Sequence, residues 1–240
     1  MRASGLLDLM DLGWPAASTQ VVGPWVVREG RGGGRRVSSA SVSGPGADTP
    51  EALAAAEMQH ARFGQRTVFR LTPDDAADDA AADAALAARG YRVEEPSVLR
   101  TAPLPAEGPE RLTAFPLWPP LAITVEIWEA GGIGAARRQV MDRAAGPKAA
   151  ILGRVEDRAA GALYAVVTGD WLMVHALHVE PALRRKGLAQ NLMRGAAAWG
   201  RDQGAGRIAL AVTEANAGAN ALYDRMGFDR AGRYHYRVKG

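Results

Sequence analysis

"HVEPALRRKGLAQNLMRGAAAWG", residues 178–200, sets three cations and a glycine between a proline turn and an apolar helical pattern. Leu188, Leu192, Ala196 and Trp199 recur at helical spacing, so a helix is expected to open directly after Gly187. The N–H groups of a first helical turn have no partner inside the helix, and here they point into residues 184–189. Three readings compete for Arg184, Arg185 and Lys186: a solvated helix end, a nucleic-acid patch, and a cradle for a phosphorylated ligand. Cations at a helix N-terminus oppose the macrodipole, which counts against a bare helix end. Backbone donors, dipole and cations together suit a phosphate, and the small Gly187 lets oxygens approach the main chain. Gly187 is followed by Leu188 and not by Lys-Ser/Thr, so the magnesium-binding hydroxyl of an NTP-binding P-loop is missing. A diphosphate is favoured over a hydrolysed triphosphate.

Composition narrows the choice further. The 240 residues are 48% apolar, enough for one large domain or two ordinary ones, and the formal charge is only +3. That balance predicts no nucleic-acid partner. There is no cysteine, which excludes disulfides, thiolate metal sites and a thioester on the protein, and four scattered histidines argue against zinc. No apolar run reaches the roughly 18 residues a membrane span needs, so a cytoplasmic protein with no membrane partner is expected, monomeric or homodimeric.

Six of the fourteen prolines fall within "TAPLPAEGPERLTAFPLWPPL", and a linker is placed at residues 103–120 between a first domain, 1–102, and a second, 121–240. In the first, "PWVVREGRGGGRRVSSASV" reads as two short strands around a glycine-rich turn. Arg28, Arg31, Arg35 and Arg36 are taken as a solvated hairpin rather than an anion site. "TPEALAAAEMQHARFG" opens a helix with a Thr cap and Pro at its first position, "TVFRL" reads as a strand, and "TPDDAADDAAADAALAARGY" repeats the Thr-Pro opening. In the second domain the expected order is strand "AITVEIW", helix "IGAARRQVMDRAA", strands "KAAILGRVE", "AAGALYAVVTG" and "WLMVHALHV", the helix from Leu188, strand "RIALAV", helix "AGANALYDRM" and a strand near "RYHYRVK". This mixture implies an α/β layer structure. "LAARGY", residues 86–91, also echoes "LYDRMGF", residues 222–228, a hint of duplication.

"LHVEPALRRKGLAQNLM" resembles motif A of the GNAT superfamily of N-acetyltransferases, with Arg184, Gly187 and Ala189 at its signature positions. "VTEANAGANALYDRMGF", residues 212–228, resembles the family's motif B, with Asn216, Ala221, Leu222, Tyr223, Gly227 and Phe228 in place. The first half resembles a degenerate second domain of the same kind, without the motif A loop. The resemblance implies a tandem α/β fold with mixed, mostly antiparallel sheets flanked by helices, in which "WLMVHALHV" splays from "RIALAV". Acetyl-CoA would enter that slot as co-substrate, with no metal. Leu177, His178 and Val179 would hold its pantetheine arm, residues Arg184, Arg185, Lys186, Gly187, Leu188 and Ala189 its diphosphate, and Asn216 and Tyr223 would complete the site. Transfer would be direct, from the thioester to an amine of a small molecule or peptide, with the Val179 N–H as oxyanion donor and Tyr223 as proton donor to sulfur. For the base, the family's strand glutamate is replaced by Met173. His175, two residues on and on the same strand face, takes its place as the candidate, with Glu126, Glu214 and His178 behind it. The alternative function is a catalytically silent CoA-binding sensor or interaction module.

Overall fold

The computed structural model describes residues 2–239. Two compact units interleave along the chain. The first comprises the stretch up to Leu99, Val212–Asn220 and the stretch from Arg230, and the second comprises Arg100–Ala211 and Ala221–Asp229.

In the first unit, α1 (Ala3–Gly13) precedes β1 (Ser18–Val22), β2 (Trp25–Glu29), β3 (Ala40–Val42), α2 (Pro50–Arg62), β4 (Val68–Leu71), α3 (Ala77–Ala88) and β5 (Tyr91–Pro103). The last strand of the chain, β11 (Asp229–Lys239), inserts beside β4, giving the order β1-β2-β3-β4-β11-β5. The β1–β2, β2–β3 and β4–β11 pairs are antiparallel, and the short contact of β3 with β4 is parallel. Its core joins Trp25, Val27 and Phe69 of the sheet to Leu53 and Ala56 of α2 and Leu86 of α3. Thr49 caps α2 as its sequence suggests, its hydroxyl accepting the Ala52 N–H at 3.3 Å. The second Thr-Pro pair does not open α3. That helix begins at Ala77, and Thr72 instead gives its N–H and hydroxyl to Asp79 Oδ1 at 2.8 and 3.1 Å.

The arginine hairpin is not the solvated one expected. Arg28 is 7% exposed. Asp11 of α1 accepts Arg70 through both oxygens, at 2.7 and 2.8 Å, and Arg28 at 2.9 Å. Arg35 pairs with Glu94 and Glu95, Arg31 with Glu29, and Arg36 with the Tyr234 hydroxyl. Each of these cations has a partner inside its own unit.

The second unit orders its strands β6-β7-β8-β9-β10. They are β6 (Ala114–Leu117), β7 (Lys148–Val155), β8 (Arg158–Thr168), β9 (Trp171–Val179) and β10 (Arg207–Thr213), antiparallel until the parallel β9–β10 pair. Helices α4 (Ala122–Ala130) and α5 (Ala135–Arg143) follow β6, α6 (Leu188–Asp202) follows β9, and α7 (Ala217–Arg225) follows β10. "AITVEIW" is therefore helix α4 and not a strand. Its β-branched residues suggest a strand, but burial runs Thr124, Ile127, Trp128, the i, i+3, i+4 stripe of a helix lying on β8 and β9, while Ile123 and Glu126 face outward. Leu121, extended after two prolines, caps its start.

Helix α6 covers the opposite face. A Cβ on Gly153 of β7 would stand 2.9 Å from Leu192 Cδ2, and one on Gly161 of β8 3.1 Å from Leu192 Cδ1. Those two glycines let the first turns of α6 settle directly on the sheet. The helix-glycine-strand echo is also real in local geometry: Gly90 after α3 has φ +81° and Gly227 after α7 has φ +75°, the left-handed stop for which glycine is suited.

Candidate active site

Strands β9 and β10 pair over only three residues, ending at Met173 and Ala209. Past that point β9 runs on to Val179 without β10 alongside, so a slot opens between them. A bulge then re-aims β9. Tyr164 of β8 faces His175, Ala162 faces His178, and two residues of β9, Ala176 and Leu177, oppose one of β8. Ala176 takes φ +52°, an uncommon conformation for a residue with a side chain, and Trp128 of α4 fixes it by donating its indole N–H to the Ala176 carbonyl at 3.0 Å.

Past the bulge, alternation settles which groups face the slot. The Glu180 N–H bonds to Ala160 O across the β8 ladder at 2.8 Å. The Val179 N–H and carbonyl are thereby turned to the other edge, as are those of Leu177, while the His178 carbonyl faces β8. Leu177 and Val179 thus present main-chain groups to the slot and His178 does not. One lone pair of the Val179 carbonyl is engaged by Arg184 Nε at 3.0 Å, leaving the second available.

At the end of β9 the chain makes a short 3-10 turn, Pro181–Leu183, and enters the cation loop. Arg185 (φ +66°) and Gly187 (φ +78°) are both left-handed, and Gly187 is the N-cap of α6. The Asn191 N–H bonds to Gly187 O, so the N–H groups of Leu188, Ala189 and Gln190 precede the helical ladder. Arg184, Arg185 and Lys186 are exposed, Leu188 is buried against the sheet and Ala189 is half-buried. Lys186 leans on Glu156 in the β7–β8 turn, beside a cavity of about 330 Å³ bordered by Arg111, Arg154, Leu188 and Asn191. The loop therefore combines exposed donors, a left-handed glycine and cations, which suits a diphosphate.

Tyr223 lies on α7, 5% exposed, its ring 5.5 Å from that of Phe228. Burial pushes its hydroxyl up to about 12, against the opposing pull of Arg100, so it remains protonated at neutral pH. Sequence reasoning missed Arg100, which is 1% exposed and donates to Asp224 Oδ1 at 2.7 Å and to the Phe228 carbonyl at 3.4 Å, bracing the end of α7. An arginine within the apolar "SVLRT" of β5 was the available signal. Asn216 Oδ1 accepts the Ala219 N–H at 3.1 Å and caps α7.

His175 and His178 both lie on the face that α4 and α5 cover. His175 is 8% exposed, its ring 6.1 Å from that of Tyr164 at 29°, and the Tyr164 hydroxyl donates to Met141 O of α5 at 3.1 Å. His178 is half-buried against Gly131, where α4 ends. Glu126 is exposed on α4. Glu214, in the first unit, pairs with Arg233 at 2.7 Å. No group of three or more metal-ligating side chains occurs among the described residues. No helix among them is long and apolar enough to cross a membrane.

Residues 118–228 match the Acetyltransferase (GNAT) family. A 57-residue stretch is 46% identical to streptothricin acetyltransferase from Streptomyces lavendulae, covering 24% of this chain and 30% of that protein. Among solved structures, a GCN5-related N-acetyltransferase from Kribbella flavida superposes with TM-score 0.73 at 18% identity, covering 99% of this chain and 95% of that one. A tandem GNAT protein from the clavulanic acid biosynthesis pathway gives TM-score 0.58 at 14% identity, with 98% and 93% covered. At such identities the structural likenesses speak for the fold alone, and they agree with the tandem α/β architecture expected from the sequence. The splayed strands, the glycine-capped helix and the family match coincide in one segment: residues 118–228 of this chain form an acetyltransferase domain of the GNAT family.

Proposed function

We propose that the chain is an acetyltransferase that moves an acetyl group from acetyl-CoA directly to an amine, with one cofactor site, in the second unit. The observation that carries this reading is the slot beside β9, walled by the Leu177 and Val179 main chain and ending at the left-handed cap of α6. The residues present fit acetyl-CoA. Leu177 and Val179 would pair with the amide-bearing arm as an added strand would, and residues 184–189 would take the diphosphate. When bound, the cofactor supplies an activated thioester carbonyl. In this reading the Val179 N–H would donate to the carbonyl oxygen as negative charge grows there, and Tyr223, kept protonated by burial, would deliver a proton to the departing sulfur. Asn216, in this reading, holds the start of α7 and so the position of Tyr223. His175, the base suggested by the sequence, sits beneath α5 with its ring against Tyr164. The likeness to streptothricin acetyltransferase supports a small-molecule acceptor ahead of a peptide, although the match spans less than a third of that protein.

The test couples calorimetry to a thiol-release assay over a panel of amines and peptides. One CoA site per chain together with amine-dependent thiol release is expected. Two comparable sites would overturn the single-site reading, and CoA binding without turnover on any acceptor would make the chain a sensor.

A further inference from the structure

The proton that an amine must lose has no receiver yet, and one group near the slot has a need that nothing among the described residues meets. His178 Nε2 is shut from solvent and has no hydrogen-bond partner among the described residues. A buried polar atom without a partner is costly to keep, so one that persists calls for something to reach it. The ring is held in place: a Cβ on Gly131 would stand 2.5 Å from both Cγ and Nδ1, so only glycine at the end of α4 leaves room for it. The adjoining segment is fixed by the Trp128 bond to Ala176 O. His178 also lies between the two residues whose main chains face the slot, on the sheet face opposite α6, so it is beside the thioester site without occupying the cofactor's path.

We propose that His178 is the proton acceptor for the amine, through Nε2, directly or across one water. This inference rests on the acetyltransferase reading above. An alkylammonium carries one proton too many for attack. That proton passes to His178, the nitrogen lone pair forms the C–N bond, and the C–S bond breaks with its electron pair staying on sulfur. The second proton shed by nitrogen replaces the one that Tyr223 gives to sulfur, so the sum is amide, CoA thiol and one proton on imidazole.

The charges around the ring favour this role. Burial holds the imidazole below its usual value, Arg184 lowers it further, and Glu180 raises it in part. The neighbours from the other elements are neutral, Ala162 of β8 and Gly131 after α4, and Glu129 of α4 is engaged by Arg138 at 2.8 Å. His178 is thus neutral at pH 7 and able to take a proton. His175, three residues earlier on β9, 8% exposed and against Tyr164, serves in this account as packing.

The experiment compares the wild type, His178→Gln, His175→Gln and Gly131→Ala on the best amine found. In the wild type, kcat/KM should be level from the imidazole's pKa up to the amine's. In His178→Gln only the neutral amine is competent, so kcat/KM should rise about tenfold per pH unit and fall on the order of 100-fold short of wild type at pH 7. Gly131→Ala, which displaces the ring, should lose rate in the same way, and calorimetric CoA affinity should hold in all four proteins. Independently of activity, NMR titration of the ring protons should place His178 below the usual 6.5. A level profile retained by His178→Gln, or lost by His175→Gln, overturns the proposal, as does an NMR titration at or above the usual value. A wild type that binds CoA and acetylates nothing overturns the acetyltransferase reading itself, whereas turnover with an unaffected His178→Gln removes only this assignment.

Discussion

Gly187→Ala separates what the cation loop does for folding from what it does for binding. Gly187 has φ +78° and nothing within 4 Å of the position a Cβ would take. The protein would therefore meet no clash, and the folding cost is the left-handed strain of an alanine, about 1–2 kcal/mol. For a chain of this size that corresponds to a Tm lower by roughly 2–8 °C. Binding should suffer separately. The diphosphate is expected to approach the main chain at Gly187 and the unladdered N–H groups of Leu188, Ala189 and Gln190, and a methyl group there keeps oxygens away. A CoA Kd raised about ten- to a hundredfold, or ~1.4–2.8 kcal/mol, is expected. Gly204, after α6, provides the control: it too is left-handed, φ +91°, with open space around its Cβ direction. Gly204→Ala should match the loss of stability and leave CoA affinity unchanged. Pantetheine, which lacks the diphosphate, should bind Gly187→Ala and wild type alike. Calorimetry on both ligands with thermal unfolding of all three proteins decides the matter. Unchanged CoA affinity in Gly187→Ala, or equal losses for CoA and pantetheine, would refute the placing of the diphosphate.

Tyr223→Phe should reduce single-turnover acetyl transfer by about ten- to a thousandfold, or ~1.4–4 kcal/mol, with CoA affinity unchanged, because the hydroxyl would act only as sulfur departs; an unaltered rate would return Tyr223 to the core. Asp11→Asn should destabilise the protein to urea by about 3–5 kcal/mol at pH 7, since it leaves Arg70 and Arg28 buried without their carboxylate. Burial alone would raise the Asp11 carboxyl, but Arg70 and then Arg28 pull it below its usual 3.8, so its contribution is complete above that pH and disappears as pH falls through the lower native value. The gap between wild type and Asp11→Asn in urea midpoints should therefore close only below about pH 4, and a gap that is already closed at pH 5 would contradict the pairing.

Where local pattern and burial agreed, the sequence was a sufficient guide. The start of α6 at Leu188 and the Thr49 cap of α2 follow from spacing and capping chemistry that involve only near neighbours. Elements whose identity depends on distant partners were not legible. Asp8 and Asp11 interrupt an apolar run, yet α1 forms and Asp11 serves as counter-ion to Arg70, 59 residues away. Strand β5 is disguised by Glu94, Glu95 and Pro96, with Glu95 at φ +48°, and is completed by Val98, Leu99 and Arg100 in the core. In α4, the β-branched residues allow either period, and only the sheet beneath it selects the helical one.

The bulge at Ala176 shows why the shape of the cation loop could be read from sequence while the surroundings of the two histidines could not. Under strict alternation, residues 175 and 178 would face opposite sides of β9, and counting along the strand would send one of the two histidines toward α6. The extra residue opposite Leu163 resets the count, so both imidazoles lie on the α4 and α5 face. The same shift turns the Val179 N–H and carbonyl away from β8. The facing of both imidazoles and the free main-chain edge of β9 are thus set by one backbone irregularity, which Trp128 fixes through the Ala176 carbonyl. Its sequence signal is weak, because Ala176 is not the glycine or asparagine that usually marks φ above zero. A helix misread as a strand concealed the rest, since Trp128 and Gly131 reach β9 only when "AITVEIW" is wound as α4. The loop was legible because its donors, glycine and cations are contiguous in sequence. The setting of His178 was not, because it comes from a bulge and from a helix about 50 residues earlier in the chain.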